Sequence, residues 1–182
     1  IQHHYIKNQG QFISDKKRLF EWITNYLQYT TFEISITALR DINLAPKVKS
    51  SLIVSTLMDY ELYQHLENLD FYQEFKNLVN LEVMEILSKR VNGFKENILK
   101  TITSTPLTIQ RRTYAHQGSV SGYSFSNQPF PAQYKFLKVS QAIKTPFKYV
   151  KQAGQFTFNP AGVPVAILTG KLAADKMIKD SK

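Results

Sequence analysis

The spacing of apolar residues along the chain changes period several times, and each change marks an element. From Ser14 to about Leu27, Leu19, Phe20, Ile23 and Leu27 recur three and four residues apart. That is one face of a helix, with Ser14 available as its cap and Asp15 suited to its first turn. The period then drops to two. Phe32, Ile34 and Ile36 alternate with Thr31, Glu33 and Ser35, which predicts a half-buried strand over Tyr29–Ile36. After a turn region at Asp41–Pro46, Ser51–Met58 is apolar enough for a central strand. Asp59–Arg90 returns to helical spacing, with Phe71, Phe75, Leu78, Val79, Val83, Ile86 and Leu87 on one face. Gly93 follows as a left-handed cap. Ile98–Ile102 alternates like a short strand, which Thr105-Pro106 interrupts.

Beyond about Ala115 the pattern loosens. Five of the seven Gly and five of the seven Pro lie there. Gln117–Tyr134 has little periodicity and many turn formers, so it reads as a loop. Tyr123, Phe125 and Phe130 within it argue for burial against something. Tyr149–Ala153 is a short strand leading to Gly154, Asn159–Pro164 a turn, and Val165–Ile178 a helix rich in small residues. That helix opens at about Val163-Pro164, since a proline is tolerated where the first helical N–H is unneeded.

Composition narrows the classes. The 182 residues suffice for one domain, or one and part of another. With 43% hydrophobic and 20% charged residues, a sizeable core is expected. The chain has no Cys, which excludes a disulfide scaffold, thiolate metal sites and cysteine catalysis, and fits a reducing cytosol. No apolar run reaches the ~18 residues of a membrane span, and no signal-peptide pattern opens the chain. A chain beginning at Ile1 without Met is expected to be a truncated or excised product.

The net charge of +9 is unevenly placed. Residues 1–115 carry 14 basic and 12 acidic groups; residues 116–182 carry 9 basic and 2 acidic. Such a region suits a phosphate-bearing cofactor, an acidic lipid surface or nucleic acid, or is simply a solvated basic face. Few residues suggest chemistry. His3-His4 reads as a tail, since a metal needs three or four ligands, and His65 and His116 are isolated. Asp59, Glu61 and Glu67 belong to a charged helix start. Arg111-Arg112 suits a phosphate or a structural ion pair equally. Its surroundings lack the regular aromatics of a stacking platform.

The informative unit is the last 35 or so residues. A strand ending at Gly154, a turn through Gly162 and a helix opening at Val163-Pro164 describe a junction where a backbone can approach a ligand. The helix start has free N–H groups, a positive dipole end and no acid beside it. An ordinary glycine-bearing turn before a C-terminal helix would read the same way.

Thr145–Met177, TPFKYVKQAGQFTFNPAGVPVAILTGKLAADKM, resembles the C-terminal flavin-binding segment of the phytoene desaturase-like FAD oxidoreductases. These include carotenoid desaturases, carotenoid isomerases and retinol saturases. The matching pieces are Ala153-Gly154, Gly162-Val163-Pro164 and Thr169-Gly170-Lys171-Leu172-Ala173-Ala174. Tyr29–Pro46 and Ser50–Tyr63 resemble substrate-domain strands of bacterial members, and Ser104–Thr113 is also similar to them. The resemblance implies FAD as cofactor, with Gly154, Gln155, Gly162, Val163 and Pro164 in flavin contact. It implies hydride transfer to or from the flavin, an apolar polyene or lipid-like substrate, no nucleic-acid partner and no metal. It names no catalytic acid or base.

The family opens with a G-x-G-x-x-G turn that holds the FAD pyrophosphate, and this chain has no such motif. The expectation is therefore a C-terminal fragment whose partner is a missing N-terminal dinucleotide-binding half. Residues 1–115 are read as part of the substrate domain, and 116–182 as the segment completing the FAD domain. The fold class expected is α+β: a mixed or antiparallel sheet with covering helices, plus a C-terminal strand–turn–helix within an α/β parent. The expected location is cytoplasmic, with peripheral membrane contact compatible with the basic end. The rival is a non-enzymatic basic module that binds an acidic membrane surface or nucleic acid. A third reading is a structural domain that only pairs with its missing half.

Overall fold

The computed structural model describes residues 5–120, 122, 133–159 and 161–181. His3-His4 and the aromatics Tyr123, Phe125 and Phe130 lie outside the described residues. The chain divides into two compact units, Ile1–Arg112 and Thr113–Lys182.

The first unit begins with a small antiparallel hairpin, β1 (Lys7–Asn8) and β2 (Gln11–Phe12). Gln9 and Gly10 both take positive φ, 48° and 84°, the handedness that a two-residue hairpin turn needs. Helix α1 (Lys16–Tyr29) follows. Its cap is Asp15 and not Ser14, the Asp15 carboxylate accepting from the Arg18 amide at 3.1 Å. Tyr29 thereby ends a helix and does not start a strand. The next pair, β3 (Glu33–Ile36) and β4 (Leu52–Ser55), is antiparallel, with Ile34 opposite Val54 and Ile36 opposite Leu52. A strand forms over the second half of the expected stretch, but its burial does not alternate: Glu33 and Ile34 are exposed while Ser35 and Ile36 are half-buried. The central position expected for the second strand is absent, because among the described residues the sheet has two strands and both are edges. Ile53 is left exposed.

The long helical stretch is two helices, α2 (Tyr60–Asn68) and α3 (Tyr72–Ser88). The break sits at Asp70, where φ is +58° and the Phe71 amide donates back to the Leu66 carbonyl. Aspartate is among the few non-glycine residues that tolerate this conformation. Gly93 does take a positive φ of 69°, but several residues past the end of α3. Ile98–Ile102 forms no strand. Thr105-Pro106 begins an element: α4 (Pro106–Thr113) opens there, with the Thr105 hydroxyl accepting from the Thr108 amide at 3.2 Å. Proline at the first helical position loses no hydrogen bond.

The core lies among helices. Leu19, Trp22, Ile23 and Leu27 of α1 meet Leu62, Tyr63 and Leu66 of α2, Phe75 of α3 and Leu107 of α4, with Ile6 beneath. Phe75 is fully buried and edge-on to both Phe20 and Tyr63, with centroids 5.6 and 5.8 Å away. Its partners are helical, whereas the sequence reading put a sheet there. No residue of β3 or β4 belongs to this core. Burial holds the Tyr63 phenol well above its ordinary pKa, so it stays neutral.

The second unit is mostly irregular. A turn-rich segment with isolated bridges, Gln133–Phe158 and Lys144–Lys151, leads to helix α5 (Val163–Asp180). The strand expected at Tyr149–Ala153 is reduced to one of those bridges. A β-strand needs a ladder partner along its length, and the described residues supply one only at Lys144.

Candidate functional site

The junction in front of α5 is held by a small set of buried polar groups. Thr169, fully buried, accepts the Gly154 amide hydrogen through Oγ1 at 3.0 Å. The same hydroxyl donates to the Val165 carbonyl at 2.8 Å. Gly154 is tied on its other side too, since the Thr157 hydroxyl and amide both donate to its carbonyl, at 2.7 and 3.2 Å. Asn159, also buried, accepts from the Ala161 amide at 3.1 Å. The Thr169 bond ties Gly154 to the body of the helix, and the other bonds are local to the turn between them.

Two glycines shape the open side. Gly154 has φ +110°, and a Cβ built on it would meet nothing within 4 Å. Gly162 has φ +134° and ψ 174°, a region that in practice only glycine occupies. A Cβ there would meet only the Pro164 ring, at 3.9 Å. Gly162 is the residue before α5, and its carbonyl accepts from the Ala166 amide at 3.0 Å. No side chain caps this end, and no acid stands in the first turn. The Val163 and Val165 amides find no acceptor among the described residues. An uncapped helix N-terminus of this kind favours negative charge and acceptor atoms. Amide donors with no acceptor among the described residues suit the carbonyl or anionic edge of a ligand.

A third glycine was missed by sequence reasoning. Gly122 has φ +85°, and a Cβ on it would lie 2.7 Å from the Ala161 Cβ and 2.8 Å from the Gln155 carbonyl oxygen. It therefore packs directly on the turn and brings Gln155 and Ala161 to one place. The only signal in the sequence was the spacing Gly118-x-x-x-Gly122, which has no strand before it.

The charges of α5 sit away from its start. Lys171 pairs with Asp175 at 2.6 Å, and Asp180 with Lys176 at 2.6 Å and Lys151 at 3.1 Å. Those two lysines, Lys176 before Lys151, pull the Asp180 carboxyl below its ordinary pKa.

The remaining candidates are structural. Arg111 holds both carboxylate oxygens of Glu67 at 2.6 Å, which takes the ion-pair side of the sequence reading. That bond raises the Arg111 pKa. His65 shares a hydrogen bond with the Ile13 carbonyl at 2.9 Å and lies beside Phe12. In the first unit, Tyr5, Trp22, Asn25, Tyr26, Tyr29 and Thr30 line an open cleft of about 390 Å³, with no acid or base in its wall. Among the described residues, no group of three His, Asp or Glu could hold a metal. No helix among them is long and apolar enough to cross a membrane.

The chain is similar to the 4,4'-diapophytoene desaturase (4,4'-diaponeurosporene-forming) of Staphylococcus aureus strain Newman, and to the proteins of that name in strains USA300 and NCTC 8325 / PS 47. Each is 24% identical to it over 190 residues, covering 99% of this chain and 35% of the relative. The chain thus spans about a third of the length of the curated relatives it matches. No family model matches the chain. No solved structure matches it either. The likeness is a distant one, to a carotenoid desaturase-like oxidoreductase, and supports nothing narrower.

Proposed function

We propose, from that likeness, that the chain is the C-terminal part of an FAD-dependent oxidoreductase acting on an apolar polyene or a related lipid-like molecule. The observation that carries the reading is Gly162: a glycine-only backbone conformation placed directly before an 18-residue helix with no side-chain cap and no acid in its first turn. Gly162, Val163 and Pro164 would present the helix start to the flavin, and Gly154 and Gln155 would form the facing wall. When bound, the flavin supplies hydride acceptance or donation. The residues of this chain bind and orient it. The amides at the helix start, which have no acceptor among the described residues, would face the polar edge of the ring and favour negative charge there. Thr169 keeps Gly154 in place for that role, through the bond already described.

The chain has no G-x-G-x-x-G turn. In this reading the pyrophosphate belongs to a dinucleotide-binding half outside the chain. The substrate reading comes from the relatives, whose name specifies a diapophytoene desaturase. The test is the flavin content of the protein expressed from its whole reading frame, beside that of this chain alone. The whole protein should purify yellow, and the chain alone should bind FAD no tighter than micromolar by calorimetry. A colourless whole protein overturns the reading.

One observation favours a second reading. Lys135, Lys138, Lys144 and Lys148 are exposed and stand in no ion pair among the described residues. A basic module for acidic surfaces would use them, and salt-sensitive binding by a flavin-free protein would support it.

A further inference from the structure

We propose that the tip of the β3–β4 hairpin is a membrane-docking element that inserts apolar side chains into a bilayer bearing anionic lipid. This goes beyond the flavin reading and stands apart from it, since none of the residues involved lies near the α5 junction in sequence.

The fifteen residues between Ile36 and Leu52 close the hairpin. They are ordered by their own hydrogen bonds. Asp41 caps the turn Ile42–Leu44, its Oδ1 accepting from the Asn43 amide at 2.9 Å and side-chain nitrogen at 3.0 Å. The hydroxyls of Thr37 and Ser51 bond across the neck. The Lys49 amide donates to the Pro46 carbonyl at 3.0 Å. This well-held loop turns its large side chains outward. Leu39 and Ile42 are 81% and 82% exposed, Val48 is wholly exposed, and Leu44 is exposed as well. Val48 also takes φ +57°, a conformation that strains a β-branched residue. Strain of this kind clusters at ligand clamps and functional loops.

Charge complementarity selects the occupant. Arg40, Lys47 and Lys49 flank the apolar residues and form no ion pair among the described residues. The one acid of the tip, Asp41, spends its carboxylate on the loop itself. Apolar side chains among three cations and one acid match an anionic lipid surface: the excess cations meet headgroups while the aliphatic groups enter the acyl boundary. An apolar protein groove would cover the aliphatic groups but gives no use to the three cations beside them in the loop.

Since the chain has no Cys, Ile42→Cys accepts a single environment-sensitive fluorophore without disturbing the core. The full 182-residue chain so labelled is titrated with vesicles of phosphatidylcholine alone and with added phosphatidylglycerol. The expected result is a blue shift and intensity gain only with phosphatidylglycerol. Co-sedimentation of the unlabelled chain should weaken at least tenfold in Leu39→Ser/Ile42→Ser. It should also weaken at least tenfold in Arg40→Gln/Lys47→Gln/Lys49→Gln, with circular dichroism unchanged. Equal binding to both vesicles, or undiminished sedimentation of both variants, overturns the proposal. Binding lost instead on neutralising Lys135, Lys138, Lys144 and Lys148 also overturns it and places the anionic surface in the second unit. A labelled chain that self-associates without lipid overturns it in favour of a contact between copies. None of these readouts depends on flavin.

Discussion

The Thr169 hydroxyl accepts the Gly154 amide hydrogen at 3.0 Å from within α5, across fifteen residues of sequence. It also returns its own hydrogen to the helix backbone at Val165. One small buried side chain thus fastens the extended segment to the helix.

Replacing it should loosen the junction. Thr169→Val keeps the shape but removes the acceptor, leaving the Gly154 amide unpaired at a cost of about 1–3 kcal/mol. Hydrogen exchange at the Gly154 amide should accelerate accordingly, and Thr169→Ser should restore protection. Unchanged exchange in the valine variant would show that the bond contributes nothing.

Gly122→Ala should displace the turn. Its new Cβ would meet the Ala161 Cβ and the Gln155 carbonyl at 2.7 and 2.8 Å, both groups with little freedom to move away. Overpacking of this kind costs about 1–3 kcal/mol. Amide chemical shifts should change at Gln155 and Ala161. Gly170→Ala is the control: it sits inside α5 with nothing within 4 Å, and should be neutral or stabilising.

Phe75→Ala should destabilise the first unit by about 3–5 kcal/mol, since the ring is fully buried against Phe20 and Tyr63. A thermal melt reads this directly. An unchanged midpoint would contradict its place in the core.

Asp180 supplies a pH dependence with a definite sign. Hydrogen bonds from Lys176 and Lys151 lower its carboxyl pKa in the folded chain. Its contribution is therefore full above its ordinary value of 3.8 and is lost as pH falls through the lowered folded value. Asp180→Asn should lower the melting temperature at neutral pH and make no difference in strong acid. Equal effects at both would remove the carboxylate from the account.

What the sequence made legible was periodic. The α1 face, the burial of Phe75 and the opening of α5 at Val163-Pro164 all follow from apolar spacing or from proline placement. Interruptions were harder. Asp70 splits one apparent helix because the apolar stripe runs on past a residue that tolerates positive φ. Pro106 looked like a breaker but starts α4, because the hydroxyl of Thr105 caps it. Ser51–Met58 looked central because its residues are apolar, yet the pairing that would make it central is a long-range property no local pattern holds. The Gly122 contact is of the same kind: 33 positions separate it from Gln155, and neither residue signals the other.

The central claim is that Gly162 lies at a flavin, and Gly162→Val in the protein expressed from its whole reading frame tests it most directly. At φ +134° a branched residue is strained by about 1–3 kcal/mol, and its side chain would fill the space in front of the helix start. Absorbance of the purified protein measures bound flavin, and far-UV circular dichroism measures the fold. The account predicts that the variant keeps the wild-type circular dichroism and loses its flavin. A folded variant carrying a full complement of flavin would contradict it, and the junction would then be an ordinary turn before a helix.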